Sequence, residues 1–287
     1  MVQGVFPAGP LNTAPGGLFS AAVVDRSAGI PNWANGAYGW DTDACPSDLI
    51  LSDFCTNQAE GLIASADGGD NGSWPFGVIG KFECYSSGYT VSQRREIARK
   101  QTEAGTQKAV EHELWSGAIA QASNRLDVPF LTNGKAVNVG TGAVTPAVAV
   151  AKLEQALADC GLGVQGVIHL TRQAAVMAAS QNVIERDGDK LFTALGTPVV
   201  AGVGYDPDKT PGAPAQAAVP APAALGPRPD NQWGFATGPV YVHLGGVDDL
   251  GEHLDHTTNV LTVVAGRPAA VYWDSCCTAA VQIDTTP

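Results

Sequence analysis

The densest run of metal-capable side chains is DDLGEHLDH, which sets Asp248, Asp249, Glu252, His253, Asp255 and His256 within nine residues. Carboxylates and imidazoles at this spacing can hold a divalent ion. The run lacks the HExxH spacing of helix-borne zinc hydrolases, and a polar surface turn is the commoner origin of such a stretch. Cys276 and Cys277 are adjacent and could form a redox or metal pair. Neighbours on a strand face opposite ways, so packing of one thiol and exposure of the other is the plainer reading. Gly161, Gly163 and Gly166 match the GxGxxG dinucleotide pattern, but they follow a predicted helix and precede a strand. No helix N-terminus then meets a phosphate, and the glycines read as a helix stop and tight turn. Neither Gly80–Lys81 nor Gly134–Lys135 completes a phosphate-binding loop, and no serine sits in a GxSxG elbow. His112, His169 and His243 stand alone in predicted helix or strand, where a hydrogen-bonded structural role is expected. The sequence thus predicts no catalytic residue, no metal site and no cofactor.

The elements that would position these groups follow from composition. With 287 residues and 45% hydrophobic content the chain can bury a sizeable core. Charged residues make up only 15%, while Gly and Pro number 34 and 19, which excludes a helical bundle. Twenty-eight acidic residues against sixteen basic give a formal charge of −12, which argues against broad electrostatic binding to nucleic acid or anionic lipid. No window approaches the ~18 apolar residues of a membrane span. The first twenty-five residues lack Lys and Arg and are broken by Pro7, Pro10 and Pro15, so no cleaved export signal is expected. The six cysteines form no CxxC pair and are read as mostly reduced thiols, and the sequon Asn71–Gly72–Ser73 as turn chemistry.

Up to about Asn57 the chain is rich in Gly, Pro and aromatics and reads as an extended arm lying on its own body or on a neighbour. The tract DGGDNGS, Asp67–Ser73, reads as the turn of a long hairpin with Leu62–Ile63 on one side and Phe76–Cys84 on the other. The longest predicted helix is Gln93–Gly117, with Thr90 and Gln93 at capping-box spacing and Ile97, Ala104, Val110, Leu114 and Ala118 as its apolar stripe. Seven of the sixteen basic residues, including Arg94, Arg95 and Arg99, fall between Arg94 and Lys135 among glutamates. Such a face is either solvated or part of an inter-subunit charge network. A second helix opens at Thr145–Pro146 and stops at Gly161; strand VQGVIHL, a helix from Thr171 to about Asn182 and strand TPVVAGVGY follow as an α/β layer. Residues 206–230 hold seven prolines and read as an inserted loop. Strands are predicted near Val240–Leu244, Val260–Ala265 and Ala269–Asp274, and finally over AAVQID.

Several segments together resemble the major capsid proteins of tailed bacteriophages with the Hong Kong 97-type fold, especially those of actinobacterial phages. They are APGGLFSAAVVD and IPNW in the arm, PFGVIGKFEC before the long helix, and QKAVEHELW within it. GVIHLTRQAA, LFTALGTPVVAGVGY, WGFATGPVYVHLGG and AAVYWDSCCTAAVQID continue the match to the end. The resemblance implies an α+β fold with an N-terminal arm (1–47), an extended E-loop (48–89), and a P-domain with its spine helix (90–144). An α/β A-domain (145–256, with the Pro-rich loop 206–230) and C-terminal strands completing the P-domain (257–287) follow. It implies a non-enzymatic structural protein of the virion, assembled in the host bacterial cytoplasm into pentamers and hexamers of an icosahedral shell around double-stranded DNA. DNA would be held without sequence-specific contact, and an acidic lining would repel it and leave it mobile. A separate scaffolding protein, a portal and decoration proteins are the expected partners, and no membrane is involved. The interface candidates are the aromatics Trp33, Tyr38, Trp40, Trp74 and Phe76 with Arg94, Arg95 and Arg99, core packing within one subunit being the alternative for each aromatic. Two other readings stay open: an encapsulin-type compartment, and a soluble metal-dependent enzyme using His253 and His256.

Overall fold

A computed structural model describes residues 14–26, 38–40, 71–73, 75–85, 89–123, 129–161, 165–212, 229–257, 259–273 and 277–286. The elements run α1 (Leu18–Ala21), β1 (Val23–Asp25), β2 (Tyr38–Trp40), β3 (Asn71–Ser73), β4 (Phe76–Tyr85), α2 (Val91–Ser116), α3 (Ala118–Ala122) and β5 (Val137–Asn138). They continue through α4 (Pro146–Asp159), β6 (Val167–Thr171), α5 (Arg172–Ser180), β7 (Ile184–Asp187), β8 (Lys190–Thr193) and β9 (Pro198–Gly202). The last five are β10 (Asn231–Thr237), β11 (Val240–Leu244), β12 (Asp248–Asp255), β13 (Val260–Trp273) and β14 (Thr278–Asp284).

The predicted helix ends are present because their signals are local. Thr90 Oγ1 accepts from Gln93 N at 3.3 Å while Gln93 Oε1 accepts from Thr90 N at 2.9 Å, closing the capping box of α2. Gly117 ends the helix in the left-handed region at φ 57°, with Phe130 where a side chain would stand. Pro146 opens α4 as its first residue, but Thr145 makes no side-chain cap; Gln181 Oε1 instead accepts from Ala147 N at 2.8 Å. The buried face of α2 differs from expectation. Ala104 is exposed, and the first half of the helix turns Arg94, Ala98, Thr102 and Thr106 inward. Small residues are required there because the helix lies directly on β4: a Cβ on Gly80 would sit 2.4 Å from Thr102 Oγ1.

Two sheets organise the rest. One is mixed and five-stranded, ordered β1-β11-β13-β12 with β4 on the other side of β13. The other is seven-stranded, ordered β5-β14-β10-β6-β9-β8-β7, with α4 and α5 packed on it. Parallel pairing of β6 with β9 around α5 is the crossover expected of an α/β layer. β13 replaces the two strands predicted on either side of Pro268. Its partner on one side changes there, from β12 up to Gly266 to β11 from Ala269, so the missing N–H of Pro268 falls where the ladder switches.

Other expectations change. Asn71–Ser73 is a strand paired to Tyr38–Trp40 rather than a turn, and β4 pairs with β13; the arm of the predicted hairpin at Leu62–Ile63 lies outside the described residues. Asp248–Asp255 is an exposed strand, not a turn. β11 and β12 join the sheet of β13 rather than the α/β layer, and β14 joins the α/β layer rather than the sheet beneath α2. Cys160 and Cys277 are disulfide-bonded, Cα to Cα 6.0 Å, in place of two reduced thiols. Both sheets share one core centred on Trp115, which stacks on Tyr205 at 4.4 Å and meets Phe235 edge-on at 5.0 Å. A second cluster, with Leu153, Leu157, Ile168 and Ile283 fully buried, fills the space between α4 and the seven-stranded sheet.

Candidate functional site: an assembly surface

The ionisable groups of the core are structural. His169 is fully buried; its Nδ1 lies 2.7 Å from the Tyr205 hydroxyl and its Nε2 2.9 Å from Thr237 Oγ1. Thr237 donates to the Gly238 carbonyl, so it accepts from Nε2–H, and Tyr205 O–H donates to Nδ1. This neutral tautomer leaves no free base, and burial holds the imidazole pKa down at about 3. Ser116 and His112 form a pair one helical turn apart, at 3.4 Å. Both are buried and Ser116 O–H donates to the His112 carbonyl at 2.7 Å, so the hydroxyl is not activated by the imidazole.

Glu111 is the junction between the arm and the body. Its carboxylate accepts from Leu18 N, Gly204 N and Gln107 Nε2, each at 2.8 Å. Ala14 N donates to Gln107 Oε1 at 3.0 Å, and Ala201 N to the Gly16 carbonyl at 2.7 Å. Residues 14–22 are thus fastened to α2 and β9 of their own subunit, and β1 adds a parallel strand beside β11. Burial pushes the Glu111 carboxyl pKa up, although each accepted hydrogen bond opposes the shift. Glu113 is raised in the same way while capping α3 through Ile119 N and Ala120 N.

Of the interface candidates, Trp33 and Trp74 lie outside the described residues, and of Tyr38 and Trp40 only the backbone pairing with Ser73 and Asn71 is described. Phe76 is buried in its own subunit's core beside Val78, and Arg94 is buried on the inner face of α2. Arg99 makes a two-pronged ion pair with Asp249 at 2.9 and 3.1 Å, and Arg95 reaches Glu252 at 3.4 Å. The two arginines are one helical turn apart, yet Asp249 and Glu252 are three residues apart on a strand and would ordinarily face opposite ways. A bulge at Leu250 corrects this: Asp249 pairs with Ala265 and Glu252 with Val263, two positions apart and hence on one face. Gly251, at φ 142°, supplies the unusual backbone. The acidic run is therefore partly a docking strip for α2 within the same chain, a role its composition did not reveal. Among the described residues no group of three His, Cys, Asp or Glu side chains is placed to hold a metal ion.

Among the described residues some large apolar side chains stay exposed along sheet margins: Val23 on β1, Ile79 on β4 and Leu250 on β12, each more than half exposed. Val137, Val176 and Leu195 do the same around the α/β layer. Among the described residues β12 pairs only with β13, leaving a second edge of eight residues unpaired, and β4 likewise pairs only with β13. An unpaired strand edge can accept a further strand, whereas apolar side chains exposed singly are ordinary on a protein surface.

No family model and no curated protein matches the chain. Solved structures do. The encapsulin of the holo-SrpI complex from Synechococcus elongatus PCC 7942 is 10% identical with a TM-score of 0.55, over 100% of this chain and 93% of that one. The capsid of an empty GTA particle is 12% identical with a TM-score of 0.55, over 98% and 94%. The capsid of Ralstonia phage GP4 is 9% identical with a TM-score of 0.52, over 100% and 98%. Identity this low carries fold alone, and the fold is matched end to end: the chain has the α+β Hong Kong 97-type fold found in phage capsids and encapsulins.

Proposed function

We propose that this protein is the structural subunit of a closed shell, the major capsid protein of a tailed double-stranded DNA bacteriophage, and has no enzymatic role. The supporting observation is the full-length match to shell subunits, with 93%, 94% and 98% of those chains covered. Copies would associate as pentamers and hexamers through the arm, the segment leading into β4 and the long-helix edge. Trp33, Tyr38, Trp40 and Trp74 are the proposed anchors, with Arg95 and Arg99 shared between the β12 strip and any neighbour. We draw the proposed boundaries along the two sheets. The A-domain would take β5 to β10 together with β14, and the P-domain α2, β4 and β11 to β13. Scaffolding, portal and decoration proteins would be its partners in assembly within the host cytoplasm, and the virion its final place.

A second reading is favoured by the encapsulin match, whose TM-score equals that of the GTA capsid: a compartment enclosing a protein cargo. Particles purified from the native source decide between them. Electron microscopy showing a tail vertex, with extractable double-stranded DNA, supports the phage reading; tailless shells filled with one co-purifying enzyme overturn it in favour of the compartment.

A further inference from the structure

We propose that Cys160 and Cys277 are an oxidation site that closes after folding and locks β14 onto the end of α4. Cys160 is the C-cap of α4, and Cys277 immediately precedes β14, 117 residues further on. The loop between them carries β6 to β13, so the bond ties the strand of the seven-stranded sheet that comes last in the chain to a helix that precedes most of that sheet in sequence. Three features place closure after folding. First, most of the surrounding core is made by other side chains: Leu153, Leu157, Val281 and Ile283 are fully buried in the same cluster as Cys277. Second, a reduced Cys277 would have an acceptor within reach, since its sulfur lies 3.7 Å from the Ala156 carbonyl oxygen. Third, both cysteines line an open groove with Val137, Lys152 and Asp159, and Cys160, the less buried of the two, is the one a small reagent meets first in the folded protein.

The chemistry balances with an external low-molecular-weight disulfide as oxidant. One cysteine, as its thiolate, attacks the reagent and forms a mixed disulfide, releasing one reagent thiol. The second cysteine thiolate then displaces the other, leaving the Cys160–Cys277 bond, and the two protons pass to the two released thiolates. A chain made in reducing cytoplasm would carry both thiols and gain the lock once it meets oxidising surroundings. The loop is long, so closing it removes much of the unfolded chain's freedom. The proposal stands whether or not the protein builds a shell.

The test uses the full chain, reduced and then incubated with oxidised glutathione in native buffer. Peptide mass mapping after alkylation under denaturing conditions should show Cys160 joined to Cys277, with both protected from the alkylating agent. The oxidised form should melt roughly 5–15 °C above the same sample treated with reductant. Cys160→Ser should neither form the bond nor respond to reductant, and if that variant does not fold, the wild type with and without reductant still decides. The proposal is overturned if Cys160 and Cys277 both remain alkylatable, if Cys276 takes the place of Cys277 in the linked peptide, or if the bond forms with no change in melting.

Discussion

Acidification should act on His169 in a way that can be worked out from its surroundings. In the unfolded chain the imidazole has its ordinary pKa of 6.5, whereas in the fold it is held at about 3 by burial among Tyr205 and Thr237. A lowered native pKa means that the stabilising contribution is present above pH 6.5 and is lost as the pH falls toward 3, because the unfolded state takes up the proton first. Between pH 7 and pH 4.5 the loss amounts to about 2.5 kcal/mol, from 1.36 kcal/mol per pH unit over the two units below the free value. Glu111 and Glu113 act in the opposite sense. Their pKa values are raised, so their contribution is present below about 4.5 and is lost as the pH rises through the native values. Comparing the wild type with His169→Gln removes the glutamates from the difference, and the amide can keep both neighbours satisfied by accepting from Tyr205 and donating to Thr237. Urea unfolding of the unassembled subunit at pH 7 and pH 4.5 should show the wild type losing about 2.5 kcal/mol more than the variant. Equal losses would refute the reasoning, since His169 would then titrate alike in both states.

Glu111→Ala strands the amides of Leu18 and Gly204, a cost of about 2–4 kcal/mol, and should raise hydrogen exchange at residues 14–22 far more than in α4; unchanged exchange there would show that the arm is held by other contacts. Gly105 lies in the middle of α2 with nothing within 4 Å of where a side chain would stand, so Gly105→Ala should stabilise the subunit by about 0.5–1 kcal/mol in chemical denaturation, and destabilisation would place a hidden constraint at that turn. Trp40→Ala should reduce particle yield while leaving the unassembled subunit's unfolding midpoint nearly unchanged; an equal loss of both would put the ring in its own subunit's core.

The parts of the fold visible in the sequence are those governed by neighbouring residues. Thr90 with Gln93, Thr171, which accepts from Ala174 N, and Gly161, at φ 72° just past α4, mark helix ends that need no tertiary partner, whereas the start of α4 at Pro146 borrows Gln181 as its cap. The buried face of α2 was hidden because Ala98 and Thr102 are chosen for closeness to Gly80 rather than for apolarity. β12 gave no alternating pattern, being exposed over most of its length and interrupted by a bulge whose purpose, aiming Asp249 and Glu252 at Arg99 and Arg95, appears only across 150 residues of separation. The hairpin of β7 and β8 did have a signal, the two-residue loop Gly188–Asp189 between Asp187 and Lys190, with Gly188 at φ 60°. β10 had little, since Gly234 opens it to Leu170 and Ile283 where a side chain would clash. The disulfide had none, because cysteines so far apart in sequence meet only once the α/β layer is built. Phe76 shows why interface residues resist sequence reading: a large ring looks the same whether its pocket belongs to its own chain or to the next.

The claim that copies of this chain tile a container is tested most directly by the mass of the recombinant product in solution. Mass photometry with negative-stain imaging should find particles in the megadalton range with closed outlines, or capsomers of five and six copies when assembly is interrupted. A single species at the mass of one subunit, 29.5 kDa, persisting at high protein concentration and in native extracts alike, would contradict it.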